Sequence, residues 1–218
     1  MLKTDFKKEI ESTLDLIKTG IDKDLIEGNI EDALKKVDRG MKSILGLDIM
    51  TVNTLSFSNV IELISKENQY NSDRYMALGE LLYFQGYIYE KQHDETNKMN
   101  YYKKSIRSFY EAYHECKEID ERYKTDTTEI LDFLSEYELE LSESSILFKL
   151  YEYNRYFDKA ENILFDMIKK SNKSEEVIHQ GIEFYNRIKE LDKEILEEGN
   201  LPLEEINDSL SEIKNMLK

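Results

Sequence analysis

The sequence predicts an all-helical protein, a tetratricopeptide-like array of antiparallel helix pairs with about ten helices. Two segments of similar pattern carry this prediction, G-N-I-E-D-A at 28–33 and N-R-Y-F-D-K-A at 154–160. In each, a turn residue is followed five or six positions later by an alanine, Ala33 or Ala160, and then by apolar residues at helical spacing. A small residue at this place lets two helices pack closely. We therefore expect Ala33 and Ala160 to be buried at helix crossings.

The composition favours the same fold. The chain has 218 residues, 40% of them hydrophobic, so it can bury a core as a single helical-repeat domain over 1–218. It has only 8 glycines and one proline, Pro202, whereas an all-β fold uses more of both in its turns. One cysteine, Cys116, excludes an internal disulfide and fits a reducing compartment. We expect Cys116 to be buried and structural.

The location is predicted from segments that the sequence lacks. The N-terminal residues contain no apolar run of the signal-peptide type. No later stretch approaches the roughly 20 apolar residues of a membrane span. We therefore expect a cytoplasmic protein that has no membrane contact.

The formal net charge of −16 argues against binding to nucleic acid, because the chain and a phosphate backbone repel each other. The one basic stretch is 98–107, where lysines and an arginine alternate with Tyr101 and Tyr102. Such a pattern can contact phosphates and stack on bases. It is also the pattern of an amphipathic helix with tyrosines packed beneath a charged face, and we adopt that interpretation.

The first two helices follow from their apolar spacing. A helix is predicted over 4–27, with its apolar residues at alternating steps of four and three. This stripe consists of Phe6, Ile10, Leu14, Ile17, Ile21 and Leu25. Gly28 ends the helix, and Asn29 is placed to cap the next one.

The middle of the chain contains the predicted central helix. A packed connection with a short helical turn is expected over 46–57, then a short helix capped by Ser58, then a polar loop over 66–71. The helix over 72–91 has apolar residues in nearly every direction, which is typical of a helix buried on all sides. We expect it to lie between its neighbours.

The remaining helices are placed by their start signals. After a polar turn over 92–98, a helix runs to about Ile119, and Asp126 with Glu129 predicts a capping box for the next. A break over 142–145 precedes a helix pair over 146–170. Further helices start at Ser174 and at Pro202, which suits the first turn of a helix.

Five residues match the pattern of a tetratricopeptide repeat, namely Leu147, Tyr151, Ala160, Leu164 and Met167. The whole chain resembles a bacterial family of uncharacterised tetratricopeptide-like proteins, a domain of unknown function. The segments that carry the resemblance are L-G-L-D at 45–48, the turns at 28–33 and 153–160, and E-G-N-L-P-L-E-E at 198–205. The resemblance implies a helical-hairpin fold and supplies no catalytic residues.

A metal enzyme is the alternative with a specific motif. Glu111 and His114, like Glu176 and His179, have the spacing with which helix bundles bind two iron ions. However, Glu111 lies on the charged side of its helix, and Glu176 lies in a first turn, where a carboxylate favours the helix dipole. We therefore expect no metal, no cofactor and no catalytic residue, and an enzyme is disfavoured but not excluded.

The favoured hypothesis is a scaffold that binds a protein or peptide in the concave groove of the helix array. If the repeat alignment holds, Glu80, Tyr83, Tyr87 and Lys149 face this groove. Packing of Tyr83 and Tyr87 on another helix is an equally open alternative. A third hypothesis is a self-associating structural protein, a homodimer that forms through Phe6, Ile10 and Leu14 of the long first helix.

Overall fold

The computed structural model of the protein describes residues 3–65, 71–116 and 121–217. These residues form twelve α-helices and no strand, so the prediction of an all-helical fold is confirmed. The helices are α1 (Lys3–Ile26), α2 (Ile30–Leu45), α3 (Ile49–Thr54), α4 (Phe57–Ile64), α5 (Asn71–Lys91), α6 (Glu95–Cys116), α7 (Glu121–Ser135), α8 (Leu141–Tyr153), α9 (Phe157–Lys170), α10 (Glu175–Ile188), α11 (Lys193–Glu198) and α12 (Leu203–Asn215). The short helices α3 and α11 account for the difference from the ten predicted.

The chain divides into two compact units, Met1–Ile130 and Leu131–Lys218. A single domain over 1–218 stays a prediction, which one cooperative unfolding transition of the whole chain would support. Among the described residues, no helix is both long enough and apolar enough to span a bilayer.

Helix α5 is the centre of the first unit, as predicted. It packs against α1, α2, α4 and α6, and most of its side chains are buried. Two glycines make room for aromatic rings of α6: an added Cβ at Gly79 would lie 2.8 Å from the Phe109 ring, and one at Gly86 only 2.4 Å from the Tyr102 ring. Aromatic side chains of α6 therefore pack directly on the α5 backbone.

The second unit is built on the pair α8 and α9, with α10 packed on α9 and α12 packed on α10. Ala160 is fully buried, and so is Ala33 in the first unit, which confirms the prediction for both alanines. Gly181 of α10 leaves space for Leu164 of α9, since an added Cβ would lie 2.9 Å from the leucine side chain.

The two similar turns use different residues for the same backbone conformation. Gly28 has φ 77° before α2, and Arg155 has φ 61° before α9. This left-handed conformation costs glycine little, whereas an arginine adopts it at some conformational cost. Asn29 is at the N-cap position of α2, but its side chain makes no capping hydrogen bond.

Several predicted helix starts are wrong. The N-cap of α4 is Ser56 instead of Ser58, and Asp126 lies inside α7, so it caps nothing. Helix α8 begins at Leu141 and runs through the predicted break over 142–145, and its start is stabilised because the Glu143 carboxylate accepts a hydrogen bond from the Glu140 N–H at 3.3 Å. In a chain with 46 acidic residues, acidic start signals also occur inside helices.

Some further predictions from the sequence also differ from the structure. Pro202 is the N-cap of α12, one position before its first turn. Cys116 is exposed, so the expectation of a buried cysteine is wrong. Residues 66–70 of the predicted loop over 66–71 and the predicted helix end at Ile119 lie outside the described residues, whereas Asn71 already belongs to α5.

Candidate functional site

Two of the predicted groove residues, Glu80 and Tyr83, lie in a partly buried charged cluster of the first unit. We call it the α7 seam, because α7 contributes Arg122, Asp126 and Glu129, which meet residues of α1 and α5. The members from those two helices are Asp15, Lys18, Glu80 and Tyr83. Glu80 is only 4% exposed and Tyr83 is also buried. These two side chains therefore face neighbouring helices of their own unit.

Arg122 is the main cation of the α7 seam. Its Nη2 lies 3.0 Å from Asp15 Oδ1 and 3.2 Å from Glu80 Oε1, so one guanidinium joins α7 to both α1 and α5. Lys18 Nζ is 3.7 Å from Asp126 Oδ1. The Tyr83 hydroxyl donates a hydrogen bond to Glu129 at 3.0 Å.

Burial decides the protonation behaviour of the α7 seam. Desolvation raises the pKa of Glu80 to about 7, although Arg122 acts in the opposite direction. Burial likewise raises the pKa of Asp126, against the attraction of Lys18. Burial also raises the pKa of Tyr83, so its phenol stays neutral and acts as a donor. Glu80 is therefore a carboxyl group that takes up a proton near neutral pH.

Tyr87 is the only one of the three predicted α5 residues that is partly exposed. It lines a groove between α1 and α5, and its ring lies 4.7 Å from Lys91 Nζ. Ile26, on the α1 side of this groove, is 87% exposed.

Lys149, the fourth predicted groove residue, lies on α8 in the second unit. Its Nζ is 3.0 Å from Glu152, which also accepts two hydrogen bonds from Arg187 of α10. Lys149 therefore belongs to an ion cluster with a partner one turn along its own helix.

The two predicted metal-binding motifs do not form a cluster of metal ligands among the described residues. His114 stacks on Tyr110, with ring centroids 5.8 Å apart, and His179 Nδ1 lies 2.7 Å from the Glu175 carbonyl oxygen one turn earlier. Both histidines are exposed. Among residues 3–65, 71–116 and 121–217, no group of three or more His, Cys, Asp or Glu side chains is arranged to hold a metal ion.

The proposed dimer residues do not form an exposed stripe. Ile10 and Leu14 are buried within the chain, and Phe6 is half-buried. Ile10 and Leu14 are therefore core residues of the first unit, and a second copy would need more exposed side chains of α1 for its contact.

An exposed groove between α1 and α2 offers such side chains. It has a volume of about 340 Å³ and is lined by Thr13, Leu16, Ile17, Lys36, Arg39, Gly40 and Ser43. Leu16 is 73% exposed. Gly40 lets the helices approach, since an added Cβ would lie 2.5 Å from Ile17 Cδ1. We call this the α1–α2 groove.

The cations of α2 differ in their partners. Lys35 pairs with Glu31 at 2.8 Å, Lys42 pairs with Asp38 at 2.7 Å, and Lys36 pairs with Asp24 of α1. Arg39 has no such carboxylate among the described residues, and lysines lie three and four positions before it and three after it. The α1–α2 groove therefore combines an exposed leucine with an unpaired guanidinium, in a chain that is strongly acidic overall.

The second unit has a polar pocket of about 420 Å³. Asp132 accepts hydrogen bonds from Tyr151 at 2.9 Å and from Lys159 at 2.6 Å within it. Glu136 and Asp166 also line this pocket. Its only cation already has a carboxylate partner.

Comparison with protein families gives one match. The model of a family of unknown function, DUF6483, covers residues 4–218. The chain belongs to this family. No curated protein and no solved structure matches this DUF6483 chain.

Sequence reasoning missed the main features of this DUF6483 protein. The pairing of Glu80 with Arg122 joins residues 42 positions apart, which no local pattern reveals. Arg39 did carry a local signal, because it lacks an acidic residue three or four positions away on its own helix. That signal could have identified the unpaired cation of the α1–α2 groove.

Proposed function

We propose that the protein is a helical-repeat scaffold that binds an amphipathic, acidic helix of a protein partner in the α1–α2 groove. The observation that carries this proposal is the exposed Leu16 beside the unpaired Arg39. A groove between two antiparallel helices suits a third helix, whose apolar residues cover Leu16 and Ile17.

The charge of the groove indicates which charged residue the partner helix should carry. The three lysines near Arg39 on α2 are each paired with a carboxylate, so Arg39 is the cation of the groove that is left to attract a carboxylate and to repel a cationic segment. A planar guanidinium binds a carboxylate through two parallel hydrogen bonds. The partner helix therefore places an Asp or Glu over Arg39 and a leucine-like side chain over Leu16.

Binding is tested by capture from the native cell with a photo-crosslinking residue at Thr13, followed by mass spectrometry of the crosslinked segment. Leu16→Asp and Arg39→Glu should each lower the yield of that segment at least tenfold. Met50→Asp is the matched control, because Met50 is 75% exposed but lies outside the groove. It should leave the yield unchanged.

A charge exchange then tests the partner's chemistry. Replacing the segment's acidic residue by Arg should restore its binding to Arg39→Glu. A crosslink yield that neither groove variant changes would reject the proposal. If the captured segment is a second copy of this chain, and Leu16→Asp dissociates a wild-type dimer in sedimentation, the groove is a homodimer contact and the heterologous partner is rejected.

A further inference from the structure

Glu80 Oε2 is a buried carboxylate oxygen with no hydrogen-bond partner among residues 3–65, 71–116 and 121–217. Its sister oxygen Oε1 accepts from Arg122 at 3.2 Å. A buried anionic oxygen without a donor is strongly disfavoured, because it has lost its hydration and forms no hydrogen bond that compensates for this loss. A proton on this carboxyl group removes that penalty.

The α7 seam has more negative than positive groups around this position. It contains four carboxyl groups, those of Asp15, Glu80, Asp126 and Glu129, but only two cations, Lys18 and Arg122. The groups that act on Glu80 most strongly are Lys18 from α1 and Arg122 and Asp126 from α7. Helix α6 adds the phenol of Tyr102, whose ring stacks 5.8 Å from that of Tyr83. Asp15 and Glu129 are exposed to water, whereas Glu80 and Asp126 are shielded from it, so deprotonation of Glu80 adds a second negative charge beside that of Asp126.

Protonation of Glu80 leaves Arg122 with a charged partner. Arg122 keeps Asp15, at 3.0 Å, and Asp15 is 65% exposed and well hydrated. The ion pair between α7 and α1 therefore remains when the contact between α7 and α5 becomes a contact of Arg122 with a neutral carboxyl group. The seam tolerates the neutral form of Glu80 better than the ionised form.

We propose that the α7 seam is a proton-responsive contact: the part of α7 that belongs to the first unit, residues 121–130, docks more tightly on α1 and α5 as the pH falls through neutrality, and its docking loosens as the pH rises. This property is independent of partner binding in the α1–α2 groove. It gives the first unit a helical segment whose docking responds to the local pH.

The direction follows from proton linkage. A solvated glutamate carboxyl has a pKa of 4.5, whereas the pKa of Glu80 is about 7 when α7 is docked. The docked state therefore binds the proton more tightly. Docking is therefore favoured at low pH, and this advantage is lost as the pH rises towards and beyond 7. Between pH 6 and pH 8 the docking equilibrium should change by about tenfold. Asp126, whose pKa burial also raises, acts in the same direction.

Hydrogen exchange with mass spectrometry tests the proposal on the whole chain at pH 6 and pH 8, after correction for the intrinsic exchange rate. Peptides within residues 121–130 of α7 in the wild type should be protected about tenfold more at pH 6, while peptides of α10 and α12 should show no such change. Glu80→Gln, a neutral isostere, should lose the larger part of the pH change. Glu121→Gln should retain it, because Glu121 is on the same helix but 83% exposed.

Two results overturn the proposal: equal corrected protection of α7 at both pH values, or the same pH change in Glu80→Gln as in the wild type. If Glu80→Gln fails to fold, carbon-13 NMR of glutamate-labelled wild type decides. A glutamate carboxyl that titrates near pH 7 supports the proposal, and the absence of any such titration between pH 6 and pH 8 rejects it.

Discussion

The first unit buries Glu80 among three helices, whereas the second unit buries Glu161 beside one tyrosine. In the part of the chain that the structure describes, Glu80 has a single donor, Arg122, at 3.2 Å, and its second oxygen has none. Glu161 of α9 accepts a 2.6 Å hydrogen bond from the hydroxyl of Tyr185 on α10, a phenol whose pKa burial raises and which therefore stays a donor.

This difference shows two ways of joining helices in one chain. In the first unit, residues 121–130 of α7 are held by charged groups that include the shielded carboxyls of Glu80 and Asp126, so their attachment depends on protonation. In the second unit, α9 and α10 meet at Leu164 and Gly181, where small and large residues interlock, and one neutral donor accompanies the buried acid. We therefore expect pH to affect the first contact and packing volume to affect the second.

Arg122→Met should produce the largest effect on stability. Its dependence on pH should distinguish the first unit from the second. Breaking a buried ion pair by removing one partner costs about 3 kcal/mol or more. We expect about 3 kcal/mol at pH 8, where Glu80 is ionised, and less than about 1 kcal/mol at pH 5, where Glu80 is neutral, by urea unfolding.

The control for that prediction is Arg187→Met in the second unit. Arg187 is bonded to Glu152 but is 46% exposed, so its loss should cost less than about 1 kcal/mol at both pH values. Equal costs of Arg122→Met at pH 5 and pH 8 would contradict the charge-based account of α7.

Ala160→Leu should destabilise the second unit by about 2 kcal/mol, because a larger side chain overpacks a fully buried helix crossing. The thermal midpoint is the measurement. Asn162→Leu, an exposed position on the same helix, should leave the midpoint almost unchanged. An unchanged midpoint for Ala160→Leu would show that the repeat assignment at this turn is wrong.

Tyr185→Phe should cost about 1 to 2 kcal/mol, since it leaves the buried carboxylate of Glu161 without its 2.6 Å donor. Denaturant unfolding at pH 7 measures this loss. The partly exposed Tyr137, changed to Phe, serves as the control for removal of a hydroxyl. A cost no greater than that of Tyr137→Phe would mean that Glu161 finds another donor.

Tyr83→Phe should have the smallest effect, below about 1 kcal/mol. Its hydroxyl donates to Glu129 at 3.0 Å, but Glu129 is exposed and water can replace the lost donor. The same unfolding measurement applies. A larger loss for Tyr83→Phe than for Tyr185→Phe would reverse the ranking of the two tyrosine–glutamate bonds.

The spacing of apolar residues along the chain was enough to predict the helices and their buried faces. It identified the burial of Ala33 and Ala160 and the central position of α5, because a helix face is defined by residues three and four positions apart. Helix starts were less predictable. Asp126 and Glu129 have the spacing of a capping box, yet α7 begins at Glu121, since the same spacing occurs inside a helix.

The tertiary structure alone decided which charged groups meet. The contact of Glu80 with Arg122 depends on how α7 packs against α5, and the burial of Ile10 and Leu14 depends on which helices cover α1. Arg39 is unpaired and Leu16 exposed because no described helix covers the α1–α2 groove. The spacing of residues along the sequence determines which side chains share one face of a helix. Burial and charge pairing depend on residues that are distant in sequence. Burial and pairing in turn set the free-energy cost of each buried charge.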